Sequence, residues 1–223
     1  QLLDLEKKYE FLNHKDSPSK KVGFKPSKNF KKINHKVPML SLANAFTEED
    51  LINFEKKIIN YLNEQNNFKI EYSAEPKIDG ISASLIYRNK KFTIGLSRGD
   101  GQTGEDITAN LKTIKDIPQN ITAKDFPDEI DIRGEVFIQN SDFKKFADKF
   151  ANPRNAASGS LRQKNYEDTK KIPLKFIAYT FGFEDGLRIK NQGDFLRKLN
   201  EWGFKTNNLN RIIKGTKNLM ENY

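Results

Sequence analysis

The stretch KIEYSAEPKIDGISASLIYRNKKFTIGLS, residues 69–97, decides the fold class. Apolar and polar residues alternate in three short runs within it, KIEYSAEP, ISASLIY and KFTIGLS, and a period of two is that of a half-buried strand. Asn89-Lys90 stands between the last two runs as a hairpin turn, so the runs are expected as antiparallel strands. Further out, EIDIRGEVF (Glu129 to Phe137) and LKFIAYTF (Leu174 to Phe181) repeat the strand pattern. On the N-terminal side Thr47 caps a predicted helix with Glu48, Glu49 and Asp50 in its first turn. Leu51, Phe54, Ile58, Ile59 and Leu62 then recur at spacings of 3 and 4, to about Asn63. NSDFKKFADKF from Asn140 reads as a capped helix, and the closing KGTKNLMENY as a helix that stops before its next element. Strands and helices come in groups rather than in strict alternation, which predicts an α+β arrangement and not a doubly wound sheet.

Composition limits the chemistry. Zero cysteines exclude disulfides, thiolate metal sites and thiol nucleophiles, and with only His14 and His35 a His-based metal centre or Ser-His-Asp triad is nearly excluded. No metal ligands are assigned, and any reaction must run on Lys, Asp, Glu, Arg and Tyr. With 36% hydrophobic and 31% charged residues, 17 Phe and a mean hydropathy of −0.76, the chain is too aromatic for wholesale disorder and too polar for a membrane protein. No apolar run approaches the roughly 20 residues of a spanning helix, and QLLDLEKKYE lacks the order of a secretory signal. At 223 residues, one large domain plus an appendage is expected. Leu2, Leu3, Leu5, Tyr9 and Leu12 fall on one helical face, as the last turns of a helix whose beginning is cut away.

The formal charge of +9 points to a polyanionic partner, since cations that neutralise phosphates gain affinity by counterion release. The plainer reading is genomic: 31 of the 39 basic residues are Lys, as an AT-rich genome would impose on any surface. From Lys15 to Lys36 eight Lys face one acid, Asp16, among Pro and Ser residues, the pattern of a basic extended connector.

The sharpest chemical feature is Glu75-Pro76-Lys77-Ile78-Asp79-Gly80, a Lys at a strand junction with a carboxylate two residues to either side. A Lys amine is nucleophilic only when unprotonated, which requires burial or cationic neighbours to lower its pKa from about 10.4. Carboxylates alone do the opposite, so this reading needs nearby cations such as Arg98, a bound metal ion or a downstream Lys. The alternative is a charged hairpin with Gly80 in its turn. Residues 97–106, SRGDGQTGED, hold three glycines that permit close backbone approach to a ligand, with Arg98 as a planar donor fork; as a plain surface loop they need no ligand. Arg133-Gly134-Glu135-Val136-Phe137 sets an acid inside a strand, where it needs a partner, either a basic side chain or a ribose hydroxyl. Residues 152–163, NPRNAASGSLRQ, carry Arg154 and Arg162 among small residues, suited to a phosphate chain or to a helix start with Ala packing.

Together with SPSKKVG, PMLSLANAF and FIAYTFG, and in this order, these segments resemble the adenylation (nucleotidyltransferase) domain of the bacterial NAD+-dependent DNA ligases from about Asp4 onward. KIDG alone marks the wider superfamily of covalent nucleotidyltransferases; SRGDGQTGED and FANPRNAASGSLRQ are similar to the NAD+ branch. The resemblance implies a nucleotidyltransferase (ATP-grasp-like) fold of antiparallel sheets flanked by helices, C-terminally truncated. It implies that residues 1–12 end a helical NMN-binding module, 13–37 connect, and 38–223 form the adenylation domain. By the same resemblance Lys77 attacks the α-phosphorus of NAD+, releasing NMN and leaving lysyl-AMP, with AMP then passed to the 5′-phosphate of nicked DNA for sealing. Glu75, Ser41 and Leu42 contact the adenosine, Arg98 the nucleotide, Glu135 the ribose, and Tyr179 stacks on adenine or else is a core strand tyrosine. Asp79 serves the later steps near the metal and the nick, and Arg154 and Arg162 grip strand phosphates. The resemblance also implies Mg2+, a zinc site outside this chain, a nicked double-stranded DNA partner, a monomer, and a cytoplasmic, nucleoid-associated setting in DNA replication and repair.

Ala43 departs from the family, which has Asp after Ser-Leu. The chain ends before the family's D-G-V-V-x-K motif and its OB, zinc-finger, helix-hairpin-helix and BRCT parts, so a fragment that does not seal nicks by itself is expected. Two other readings compete: an ATP- or GTP-dependent nucleotidyltransferase acting on RNA, and a non-catalytic basic DNA-binding module that kept the fold. Intact Lys77, Glu135 and Arg98 argue against the last.

Overall fold

The computed structural model describes residues 8–9, 30–64 and 70–222. The N-terminal helix expected over residues 1–12 and the connector expected over 13–37 therefore lie mostly outside the described residues, and the described end of the connector carries β1. Within them the chain runs β1 (Lys32–Asn34), α1 (Glu48–Leu62), β2 (Glu71–Ala74), β3 (Ile81–Arg88), β4 (Lys91–Ser97), β5 (Thr103–Glu105), α2 (Thr108–Leu111), β6 (Glu129–Phe137), α3 (Asn140–Phe143), α4 (Pro153–Leu161), α5 (Tyr166–Lys170), β7 (Lys175–Glu184), α6 (Gln192–Glu201), β8 (Arg211–Lys214) and α7 (Thr216–Asn222). The grouping is α+β and the sheets are antiparallel, as the sequence predicts.

The central sheet has the order β4-β3-β6-β7. Asn89 and Lys90, with φ of 47° and 64°, form the predicted two-residue turn between β3 and β4; both left-handed, they match the twist of the strands they join. β6 is buried on both faces, and its period of two separates two functions. Ile130, Ile132 and Val136 lie in the apolar core with Leu85, Tyr87 and Phe176, whereas Asp131, Arg133 and Glu135 share the other face. The register continues that polar face across the sheet. Ser82 pairs with Glu135 and Ser84 with Arg133 on β3, and Arg98, the residue after β4, follows Ile94 and Leu96 in the series that pairs with Ile86 and Ser84.

The apolar side is closed by aromatics in edge contact. Tyr87 meets Phe126 and Phe204 at centroid distances of 5.6 and 5.5 Å, and Phe126 meets Trp202 at 4.8 Å. The Tyr87 hydroxyl donates to the Pro118 carbonyl at 2.6 Å, and burial pushes its pKa far up. α6 contributes Phe195, Leu196 and Leu199 to this core.

The first alternating run forms an antiparallel strand as expected, in a sheet of its own: β2 pairs with β8, with the register Tyr72 to Ile213. Pro76, which has no N–H for a ladder, and Gly80 stand between β2 and β3 and release the chain from one sheet to the other. One expectation is corrected: the capped helix expected from Asn140 is a single turn followed by a 3-10 turn at Lys144–Phe146, and its N-cap, Gln139, makes no side-chain cap bond. By contrast the helix at Thr47 has a complete capping box with Asp50 and ends on left-handed Asn63. Among the described residues no helix is long and apolar enough to cross a membrane.

Candidate nucleotide site

Lys77 lies exposed between β2 and β3. Behind it Gly80 is buried so tightly that a Cβ there would meet the Val136 carbonyl at 2.3 Å and Glu135 Cγ at 2.9 Å. This close approach sets the Lys77 loop against the Glu135 strand. Glu135 is 8% exposed, and its Oε2 accepts from the Ser82 hydroxyl at 2.9 Å. Burial raises its pKa above the ordinary carboxylate value; the Ser82 bond and then the charges of Arg154, Lys77 and Arg98 oppose that rise. Three cations from three chain segments thus act on one buried carboxylate. Tyr179 on β7 is raised first by burial and then by the Glu135 charge, with Ser82 as hydrogen-bond partner, so it belongs to the same cluster.

Arg98 Nη2 donates to Ser41 Oγ at 2.8 Å, while Arg98 Nε is buried with no hydrogen-bond partner among the described residues. Its carbonyl is held by His35 Nε2 at 3.2 Å. Leu42, beside Ser41, is 79% exposed. Glu75 Oε1 accepts from Ser73 Oγ and from Gln192 Nε2, each at 2.9 Å. On α4, Arg154, Ser158 and Arg162 recur every fourth residue and therefore share one helical face. That face lines a cleft with Ser82, Ser97, Arg98 and Ile107. Arg154 Nη1 pairs with Asp79 Oδ1 at 3.0 Å, both exposed; Arg162 Nε lies 3.3 Å from Glu105, a fully buried carboxylate on β5.

Three guanidinium groups line the cleft, and the buried acid and the Lys77 loop adjoin it through Ser82 and Asp79, an arrangement suited to a nucleoside phosphate. Residues 27–223 match the sequence model of the NAD-dependent DNA ligase adenylation domain. The chain belongs to that family.

Among its relatives is the DNA ligase of Pelagibacter ubique (strain HTCC1062), 70% identical over 222 residues, covering 100% of this chain and 33% of the relative. The DNA ligase of Parvibaculum lavamentivorans is 45% identical over 213 residues, covering 92% of this chain and 30% of the relative. That of Xanthobacter autotrophicus is 42% identical over 227 residues, at 98% and 32%. The chain spans about a third of the length of these curated relatives.

The adenylation domain also holds site residues that sequence reading missed. Ser82, Ser73 and Gln192 touch the named acids directly. Ser82 is legible in retrospect, since the alternation of β3 places it with Ser84 on the polar face. Gln192 carries no such signal: it is 117 residues from Glu75 in sequence, and only the packing of α6 brings the two together. Leu42 and Lys77 are both exposed, and among the described residues no hydrogen bond ties either to the rest of the site.

Proposed function

We propose that this chain carries the self-adenylating step of an NAD+-dependent DNA ligase, with NAD+ as substrate and the nucleotidyltransferase fold as its frame. The observation that carries the reading is the packing of the Lys77 loop, through Gly80, against the buried Glu135, and its pairing, through Asp79, with Arg154. Lys77 Nζ, once deprotonated, attacks the α-phosphorus: a P–N bond forms, the bridging P–O bond breaks, and NMN leaves with the bond's electrons. Arg98 and Arg154 line the neighbouring cleft and bring positive charge to the phosphates. Glu135 accepts from the ribose hydroxyls, Tyr179 stacks on adenine, Glu75, Ser41 and Leu42 border the adenosine, and the unpartnered Arg98 Nε is a donor suited to the phosphate.

The AMP then passes to the 5′-phosphate of nicked double-stranded DNA, whose strand phosphates Arg154 and Arg162 hold, and sealing releases it. The whole protein acts as a monomer in the bacterial cytoplasm, in replication and repair. Exposed Asp79, paired with Arg154 at 3.0 Å, is the carboxylate that would hold Mg2+ together with substrate phosphates, and the ion would neutralise phosphate charge.

The test is covalent labelling of the full-length protein with NAD+ or ATP carrying a labelled adenylate. Labelling from NAD+ alone is expected, and Lys77→Arg abolishes the acid-labile adduct because a guanidinium is effectively never deprotonated near neutral pH. An adduct retained in Lys77→Arg would refute the nucleophile, and labelling from ATP would move the protein to the other branch of the superfamily.

A further inference from the structure

Gln192 is the first residue of α6, and Asn191 caps that helix by accepting the Asp194 N–H. Its amide nitrogen donates twice, to Glu75 Oε1 at 2.9 Å and to the Tyr179 carbonyl at 2.6 Å. A carboxylate and a carbonyl only accept, so the amide must present its nitrogen to both. Ser73, on the opposite side of Glu75 in sequence, donates to the same Oε1 at 2.9 Å. Two neutral donors therefore saturate one carboxylate oxygen and fix the rotation of the group, while Oε2 has no hydrogen-bond partner among the described residues. The same amide sets the spacing between Glu75, which leads into the Lys77 loop, and Tyr179, on the strand that carries the ring. Glu75 thus keeps one acceptor oxygen, with the group held by residues of two different elements, β2 and α6.

Resting on the adenylation reading above, we infer that Gln192, with Ser73, is a positioning residue that sets base specificity. It holds Glu75 Oε2 as an acceptor for a 6-amino purine, and a 6-oxo purine would bring a carbonyl against that oxygen. A hydrogen bond to a charged group discriminates by about tenfold or more when its partner is replaced by another acceptor. The orientation also makes an inversion testable. In Glu75→Gln the two donors still require Oε1, so the new amide nitrogen must face outward and present a donor to a 6-oxo base.

The experiment measures adenylation of the full-length protein with NAD+ and with nicotinamide hypoxanthine dinucleotide, and equilibrium binding of AMP and IMP. Wild type is expected to prefer the amino base by about tenfold or more. Gln192→Leu collapses the preference, chiefly by raising KM for NAD+ and moving KM for the hypoxanthine dinucleotide little. Glu75→Gln reverses the preference, and adding Gln192→Leu to it removes the reversal. Because the reversal is a gain for one ligand, a variant that merely misfolds cannot mimic it. Full discrimination in Gln192→Leu, or no shift toward the oxo base in Glu75→Gln, would overturn the inference. A wild type that labels Lys77 without preferring the amino base overturns this inference alone. One that binds AMP over IMP but forms no adduct overturns the Lys77 reading alone.

Discussion

Glu135 is the residue whose environment has the clearest consequence. Burial holds its proton more tightly in the folded chain than in the unfolded one. The folded state therefore binds the extra proton, and stability falls as pH rises from the unfolded carboxylate value, about 4.3, through the raised folded value. Above that window the folded protein carries a buried charge offset by Ser82 and three cations. Glu135→Gln removes the charge and so should not lower Tm at neutral pH, and should flatten the acid limb of Tm against pH. Adenylation should fall by about tenfold or more, the value of hydrogen bonds accepted by a charged group. A Tm several degrees lower, with adenylation per folded molecule unchanged, would instead make Glu135 a structural acid. Arg154 and Arg162 differ at the same scale, although the sequence presents them alike. The Asp79 partner of Arg154 is 75% exposed, and such a surface pair contributes little and exchanges readily for a phosphate. Arg162 faces Glu105, which is fully buried, so Arg162→Ala removes a cation from a desolvated carboxylate and should cost about 1–3 kcal/mol, read as a lower urea midpoint. Arg154→Ala should leave that midpoint nearly unmoved.

Among elements, the segment from β1 to Ser41 governs how the cleft is built. Its first part, to Val37, belongs to a stretch that composition presents as a basic connector, yet His35 and Met39 donate their N–H groups to the carbonyls of Gln102 and Gly101, each at 2.8 Å, and β1 pairs with β5. Arg133 donates to the carbonyls of Val37 and Pro38 while paired with Asp131 at 3.0 Å, so a buried ion pair in β6 pins the strap that delivers Ser41 to Arg98. Burial lowers the His35 pKa from 6.5 despite the Arg98 carbonyl and Asp131. The unfolded chain therefore takes up the proton first, and the stability contributed by neutral His35 is present above about pH 6.5 and lost as pH falls through it. His35→Gln, which keeps a side-chain donor and removes the titration, should show a smaller drop in Tm than wild type between about pH 7 and about pH 5. Equal drops would place the pH sensitivity elsewhere. The strap also shows what sequence can and cannot disclose. The β3-β4 hairpin, β6 and the Thr47 helix are written locally, in alternation, in a turn pair and in a capping box, and they are legible without a structure. Three-residue strands such as β1 and β5 have no period to read; they exist because distant backbones satisfy one another. The pairing of β2 with β8 is likewise a property of two segments about 140 residues apart, and alternation shows the β2 strand without naming its partner. For the site, KIDG and RGEVF announce Lys77 and Glu135, whereas Ser82 and Gln192 are chosen by register and packing.

At the scale of the molecule, the charge of +9 acquires a location. Arg98, Arg154 and Arg162 line one cleft with Ser82, Ser97 and Ser158, and the Lys77 loop meets it where Asp79 pairs with Arg154. A surface basic only through genomic bias would spread Lys evenly, and it would not set three of eight Arg together. Under the proposed adenylation reading the cleft would have two tasks: forming lysyl-AMP would need only the dinucleotide, whereas transfer and sealing would need DNA held by its phosphates. Arg154, exposed and weakly paired, is the residue on which that proposal divides the two tasks. In the full-length protein Arg154→Ala should retain most self-adenylation and lose sealing of pre-adenylated nicked DNA. Its DNA binding should show a log K against log salt slope shallower by about one unit, the counterion release of a single phosphate contact. If self-adenylation fell as far as sealing and the salt slope stayed unchanged, Arg154 would belong to the nucleotide and not to the DNA, and the cleft would be a pocket for one phosphate group instead of a track for a strand.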